Sequence, residues 1–416
     1  MEEILESTYP AVAGGGDAAS FVLSRLPHPD TTAFVDATGA GGGRTTLSFV
    51  ALHRAALSLA SGLRFGLGLR RGDAVLVLSP NSLLLPPIVL GVLAAGGVVV
   101  AADPGSAAEE VAAMARSSGA VIVVAAPEVA EKVAGAGVPL LLTSRSMDPR
   151  ALSAEELMDD GDPTALASPE EAAAAMPRPS DVAFVFYSSA TTKTAATMTH
   201  ADLIAAVASA SSSPDERRVC LASLPICSVH GLPLLALALP AAGVTTVLLA
   251  SPSSDPTVAR VAAAAHGATD VVATPDVAAA LAAPVALQGK MLAALRRVTV
   301  VPALATTEAR QAFRRWLPWV ELTEMSGSPE KRMASVSEQV QVMPDAARAA
   351  VMEYEYTLTE DFITSPQPMN TLHFCEILYI KVPLLKKIQK TVLGDILSKS
   401  TANKILREHP EIISKL

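Results

Sequence analysis

An α/β fold is what this sequence predicts: a large body of mixed or parallel sheets with helices packed around them. Three observations predict it. Short valine-rich runs recur, AVLVL at 74–78, VVVAA at 98–102 and AVIVVA at 120–125, each too short to be a helix. They are apolar throughout instead of alternating, as strands buried on both faces of a parallel sheet are. Alanine- and leucine-rich stretches of helical length lie between them, and that alternation argues for helices on both faces of the sheets.

Taken in order, residues 1–24 read as a loose N-terminus with a glycine break at 14–16. TAFVD at 32–36 is a strand, and the glycine turn at 41–43 leads to a second, TTLSF at 45–49. Residues 52–63 form a helix with Leu57, Leu59 and Leu63 among its apolar positions. RGDAVLVLSPN at 71–81 is a turn and a buried strand that ends at Pro80-Asn81. Residues 82–102 are uncharged and long enough to cross a bilayer, but Pro86-Pro87 and Gly96-Gly97 divide them into a buried helix, a turn and a strand. A helix then starts near Glu109-Glu110, and the AVIVVA strand follows it. Residues 145–180, rich in Pro, Asp, Glu and Ala, read as a connecting surface segment.

Residues 182–186 are a buried strand, and a helical pattern begins at Leu203. Next come a strand at 219–224, a strand TTVLLA at 245–250, a helix at 258–268, a strand DVVAT at 270–274 and a helix at 308–316. The uncharged stretch 221–251 is broken by Pro225, His230, Pro233 and Pro240, so it is not read as a membrane span.

Composition excludes several classes. The net charge is −9 and the basic residues form no long cluster, which argues against a nucleic-acid partner. Cys220, Cys227 and Cys375 make neither a disulfide framework nor a zinc spacing, and a reducing compartment is expected. The acidic opening MEEILESTYP lacks the apolar core of a secretory signal. No G-x-G-x-x-G follows the first strands, which argues against a NAD-linked oxidoreductase.

Chemistry concentrates at 184–200, FVFYSSATTKTAATMTH. The strand ends in Ser188, Ser189, Ala190, Thr191 and Thr192, ahead of the helical pattern. Backbone N–H groups and hydroxyls between a strand and a helix can turn toward a phosphate; a polar turn is the plain alternative. This segment resembles the signature loop of the acyl-activating (adenylate-forming) enzymes, in particular the plant 4-coumarate–CoA ligase-like group, which reads Y-S-S-G-T-T-G, then S-K-G-V, then L-T-H. Tyr187, Ser188, Ser189, Thr191, Thr192, Thr199 and His200 match it. Ala190 and Lys193 stand where the family has glycines, and the S-K-G-V piece is contracted and has lost its lysine. Lys193, in the same loop, is a candidate replacement for that lysine.

The resemblance extends along the chain. The family's "GD", "PN" and valine strands follow in order from 72 to 102. Leu224, Pro225, Gly231 and Leu232 keep part of its L-P-[LM]-F-H-x-Y-G-L, with Cys227, Ser228 and His230 between them. Its Y-G-x-T-E aligns with Ser326, Gly327, Ser328, Pro329 and Glu330. VQVMPDAARAAV at 340–351 is similar to the start of the family's C-terminal lid, and 386–408 are similar to the lid's end, with Lys404 in the place of its lysine.

That resemblance implies an N-terminal AMP-binding domain over 25–330, an abnormally short junction at 331–339, and a small α+β C-terminal lid over 340–416, with the chain internally truncated between the two. It implies an ATP-dependent ligase that converts a carboxylic acid to acyl-AMP and then to a CoA thioester, with ATP, Mg²⁺ and CoA as cofactors and a hydroxycinnamate or fatty acid as substrate. Such a ligase belongs to phenylpropanoid-type metabolism. Lys404 would be catalytic. Ser188, Ser189, Ala190, Thr191, Thr192 and Lys193 would bind ATP. Ser228, His230, Glu324, Met325, Gly327 and Pro329 would line the adenylate and acyl pocket, and Glu330 would hold the metal. The alternative is an impaired or inactive relative that binds acyl or nucleotide ligands, since several matched motifs are altered. Ser414-Lys415-Leu416 reads as a peroxisomal address, the alternative being the cytoplasm.

Overall fold

The structure is a computed structural model that describes residues 16–27, 31–37, 45–148, 150–165, 177–187, 195–210, 218–249, 256–283, 292–301, 304 and 306–325. The chain divides into two compact units, Met1–Ser146 with Ser153–Gln339, and Met147–Leu152 with Val340–Leu416. Every element below belongs to the first unit. The lid expected over 340–416 lies outside the described residues.

A short helix, α1 (Ala18–Leu23), starts at Asp17, whose carboxylate accepts from the Ser20 N–H and caps it. Strand β1 (Thr32–Asp36) pairs antiparallel with β2 (Thr46–Ser48). The second strand is shorter than the TTLSF run because Ser48 turns its hydroxyl to the Ala51 N–H, 3.3 Å away, and so opens helix α2 (Phe49–Ser61). Strand β3 (Ala74–Leu78) is buried along its whole length. After it come α3 (Leu85–Ala94) and β4 (Val98–Ala102), the helix–turn–strand reading of the uncharged run. Gly91 of α3 packs so closely on α2 that a Cβ there would stand 2.8 Å from Leu59 Cδ2. Next are α4 (Ala108–Ser118), β5 (Ala120–Ala125) and β6 (Leu140–Leu142).

The segment 145–180 is more than a surface connection. It holds helix α5 (Ala154–Asp160), which buries Ala154, Leu157 and Met158 and packs against α2. Ser153 and Glu156 form a reciprocal capping box that starts it. Three apolar residues in an acidic stretch are too few for periodicity to reveal.

Strand β7 (Val182–Tyr187) is followed by a second strand, β8 (Ala195–Thr199), and only then by helix α6 (His200–Ala210). The expected strand–loop–helix is therefore a hairpin whose connection is 188–194, with α6 beyond it. The helix begins at His200, ahead of Leu203, because Thr199 and Asp202 cap it: the Asp202 N–H donates to Thr199 Oγ1 at 3.1 Å, and the Thr199 N–H donates to Asp202 Oδ2 at 2.8 Å.

Strand β9 (Val219–Ala222) leads through 223–231 to a widened helical turn, Leu232–Ala238. Pro240 has no N–H to offer the helix, and the Leu239 N–H donates to Leu234 O, five residues back. The remaining elements are β10 (Thr245–Leu248), α7 (Pro256–Ala265), β11 (Asp270–Ala273), α8 (Pro275–Leu281), β12 (Arg297–Val300), α9 (Thr307–Trp316) and β13 (Glu321–Glu324).

Two sheets result. The larger has the order β13-β12-β11-β9-β10-β1-β2, parallel except for β2 at its edge. The smaller has the order β6-β5-β3-β4-β7-β8, parallel except for β8 at its edge. The fold is the mixed α/β architecture that the sequence predicts. One core joins Leu221, Val271 and Val298 of the larger sheet to Leu281 of α8 and Phe313 of α9; another joins Leu76, Val100 and Val123 of the smaller sheet to Val111 and Met114 of α4. Among the described residues no helix is long and apolar enough to cross a membrane.

Candidate active site

In open α/β sheets ligands sit beyond the carboxyl ends of the parallel strands. Here those ends are joined by one side chain. Asn81 follows β3 after Ser79 and Pro80 and is 5% exposed. Its Nδ2 donates to Leu224 O at 2.8 Å and to Leu249 O at 3.1 Å, and its Oδ1 accepts from the Ile226 N–H at 2.8 Å. Leu224 and Ile226 lie just past β9, and Leu249 lies just past β10. The carboxyl end of the smaller sheet is thus fastened to two neighbouring exits of the larger one.

The β9 exit is a tight turn. Ser228 Oγ donates to Pro225 O at 2.7 Å and accepts from the Gly231 N–H at 2.9 Å. A Cβ at Gly231 would fall 1.9 Å from Pro225 O, so the turn closes only over glycine. Ser228 is half-buried, and its hydroxyl is engaged within this turn. His230 lies in the same turn, also half-buried, and its carbonyl accepts from the Leu234 N–H at 3.3 Å. Burial pushes the Cys227 thiol up to about 12, so it stays protonated at neutral pH. Ser223, at the last backbone bond of β9 to β11, is fully buried, and its hydroxyl has no partner among the described residues.

The exit of β13 is held by an ion pair. Glu324 Oε2 accepts from Arg310 Nε of α9 at 2.8 Å, and its Oε1 accepts from the Leu304 N–H at 2.8 Å. The hydrogen bond from Arg310 holds the Glu324 carboxyl below its ordinary range, with the Leu304 N–H and the charges of Arg310 and Arg314 adding to it. Met325 extends the ladder by donating its N–H to Val300 O at 3.1 Å. Both Glu324 and Met325 are half-buried.

The β7–β8 hairpin contributes Tyr187, whose hydroxyl accepts from Ser117 Oγ of α4 at 3.0 Å. Beyond β8, His200 is 1% exposed, and its Nδ1 accepts from the Ala18 N–H at 3.1 Å. The His200 backbone N–H donates to Asp181 O at 3.1 Å, and Asp181 pairs with Arg71 at 2.6 Å. Burial holds the imidazole below its ordinary pKa of 6.5, against the raising influence of Asp17 and Asp181. The two matching residues Thr199 and His200 therefore cap α6 and dock α1.

Of the residues expected to act, Ser228, His230, Glu324 and Met325 all lie at carboxyl ends of the larger sheet, on the exits of β9 and β13. Ser188, Ser189, Ala190, Thr191, Thr192 and Lys193 belong to the β7–β8 connection, and Gly327, Pro329 and Glu330 follow β13; all of these, with Lys404, lie outside the described residues. Among the described residues no group of three His, Cys, Asp or Glu side chains could hold a metal. In the sequence Asn81 stands out only as half of the Pro80-Asn81 dipeptide, and Arg310 carries no assigned role. A polar residue closing an all-apolar strand is the signal that points to Asn81; Arg310, on a basic helix face, gave none.

Residues 25–351 match the family model described as AMP-binding enzyme. 4-coumarate–CoA ligase-like 8 of Arabidopsis thaliana is 30% identical over 331 residues, which is 75% of this chain and 58% of that protein. The chain spans about half the length of the curated relatives it matches. In fold it is similar to a benzoate CoA ligase from Burkholderia xenovorans, with a TM-score of 0.63 and 22% identity over 76% of this chain and 61% of that one. It is also similar to the amide bond synthetase McbA from Marinactinospora thermotolerans, with a TM-score of 0.62 and 23% identity over 75% of this chain and 60% of that one.

Proposed function

Because the chain belongs to the AMP-binding enzyme family, whose members form adenylates, we propose that it activates a small carboxylic acid with ATP and passes the acyl group to CoA. In the first step a carboxylate oxygen attacks the α-phosphorus of ATP; the bond to the bridging oxygen breaks, and acyl-AMP and pyrophosphate form. In the second step the CoA thiolate attacks the acyl carbon and AMP leaves. Both steps gain from holding the reactants together and from donors aimed at the charge that develops.

The observation that carries this reading is positional. Three segments that resemble the family's motifs, 187–200, 224–232 and 326–330, follow in sequence the carboxyl ends of parallel strands, β7, β9 and β13. In this reading Ser188, Ser189, Thr191 and Thr192 hold the β- and γ-phosphates, with Lys193 supplying the positive charge of the loop. Lys404 orients the acyl-phosphate, and Mg²⁺ on Glu330 belongs to the same proposal. The name of the plant relative, 4-coumarate–CoA ligase-like, supports an acid of hydroxycinnamate type, and a fatty acid is the other candidate. The fold alone does not choose the acceptor, since it is shared with an amide bond synthetase.

The test is ATP–pyrophosphate exchange by the full chain with hydroxycinnamic and fatty acids. Acid-dependent exchange is expected, and Lys404→Ala is expected to lower it by about 100-fold or more. Adding CoA then yields the thioester, while an amine acceptor yields none. A folded protein that gives no exchange with any acid would overturn the reading, and thioester-free acyl-AMP turnover would overturn its second step.

A further inference from the structure

We infer that Asn81 is a positioning residue of the proposed site: it sets where the exits of β9 and β10 stand relative to the smaller sheet. The functional part of this inference rests on the acyl-activating reading; the mechanical part does not. The argument starts from hydrogen-bonding capacity. A buried amide offers two donors and an acceptor with two lone pairs, and Asn81 uses both donors and one lone pair on main-chain groups. None of these is local: the partners lie 143, 168 and 145 residues away in the chain. They also belong to two different strand exits. Neither exit bonds the other through this contact, so the asparagine is the shared part.

Chemistry selects this side chain. Aspartate keeps an acceptor for the Ile226 N–H but turns an oxygen toward two carbonyl oxygens. Alanine leaves two buried carbonyls and one buried N–H without this partner. Pro80 ahead of it fixes its own φ, and Ser79 closes its hydroxyl on Pro80 O at 2.9 Å. The amide is therefore presented from a short, constrained arm. Beyond the clamp lies the Ser228–Gly231 turn with His230. A shift of the β9 exit moves that turn as a unit, because the turn is closed on itself.

Hydrogen exchange of the full chain, read at residue resolution, tests the clamp without any activity. Asn81→Ala is expected to speed exchange at the Ile226 amide by about tenfold or more, the change that 1.4 kcal/mol of lost protection gives. Exchange in β5 and β12 is expected to stay unchanged. Asn81→Asp, which keeps size and one acceptor, is expected to leave Ile226 slow while exchange rises over 228–234; it serves equally if the alanine variant does not fold. The second arm is kinetic. If the wild type shows acid-dependent exchange of pyrophosphate, both variants are expected to raise the KM for the acid by about tenfold while the KM for ATP stays within about twofold. A merely structural residue would instead lower the active fraction and leave both KM values alone. Unchanged protection at Ile226 in the alanine variant, a uniform rise across both sheets, or equal shifts in the two KM values would overturn the inference. A wild type without exchange activity would sink the acyl-activating reading, and the clamp would then stand or fall on hydrogen exchange.

Discussion

His200 shows how one side chain can tie an early helix to a late one. Its Nδ1 accepts a hydrogen bond from the first N–H of α1, which fixes the ring proton on Nε2. Protonation would put an N–H where that acceptor must be. The folded-state pKa lies below the ordinary 6.5, so the unfolded chain binds the proton first as pH falls. The contribution of His200 is therefore complete above pH 6.5 and is lost as pH falls from there through the lowered folded value. Asp17, Asp181 and Arg71 are the charged groups around it, and the pair Arg71–Asp181 is already formed. Thermal melts between pH 7.5 and 5 are expected to fall in Tm, and His200→Gln is expected to flatten that fall. An equal slope in the variant would show that another group carries the dependence.

Helix α5 gives the corresponding lesson for elements. Leu157 is fully buried on α2, and truncation to alanine is expected to cost about 2–4 kcal/mol, measured by urea unfolding. A loss below about 1 kcal/mol would mean that the contact with α2 collapses without penalty. The strands β3, β4 and β5 were legible because their valines run unbroken. The helix α5 was not, since its burial depends on α2, a hundred residues earlier. Strand β8 is not legible for a related reason: AATMT is short, with two alanines and a methionine that signal no strand, and only pairing with β7 makes it one. At the site, the strand read at 219–224 puts Ser228 and His230 just past a strand end, whereas the strand β13 that carries Glu324 and Met325 is not legible, because ELTE is short and mostly polar. The sequence could not show that Ser228 is used inside its own turn or that Glu324 is held by Arg310, since those partners are matters of geometry.

At the scale of the whole molecule the larger sheet has two unlike ends. Its amino ends carry charge: Arg218 pairs with Asp270 at 2.6 Å, and Arg297 reaches Asp270 at 3.4 Å and Glu321 at 3.1 Å. Asp270 also accepts from Thr269 Oγ1 at 2.7 Å. Its carboxyl ends carry the candidate residues. Asp270→Ala would remove the carboxylate that pairs with both Arg218 and Arg297, and a loss of about 3 kcal/mol is expected from chemical unfolding. The same variant is expected to keep its KM for ATP within about twofold wherever it is folded. A change in nucleotide affinity would mean that the two ends are mechanically coupled.

The register of β1 has a consequence for how this chain is made. Phe34 pairs with Thr246 in the larger sheet, while every strand of the smaller sheet lies between them in sequence. A ribosome adding roughly 5–20 residues per second needs about 10–40 s to travel from one partner to the other. Throughout that interval β1 has emerged without its inner neighbour, whereas all six strands of the smaller sheet are complete before β10 exists. The first strand synthesised is thus among the last to be enclosed, and its open edge is what a nascent-chain chaperone would meet.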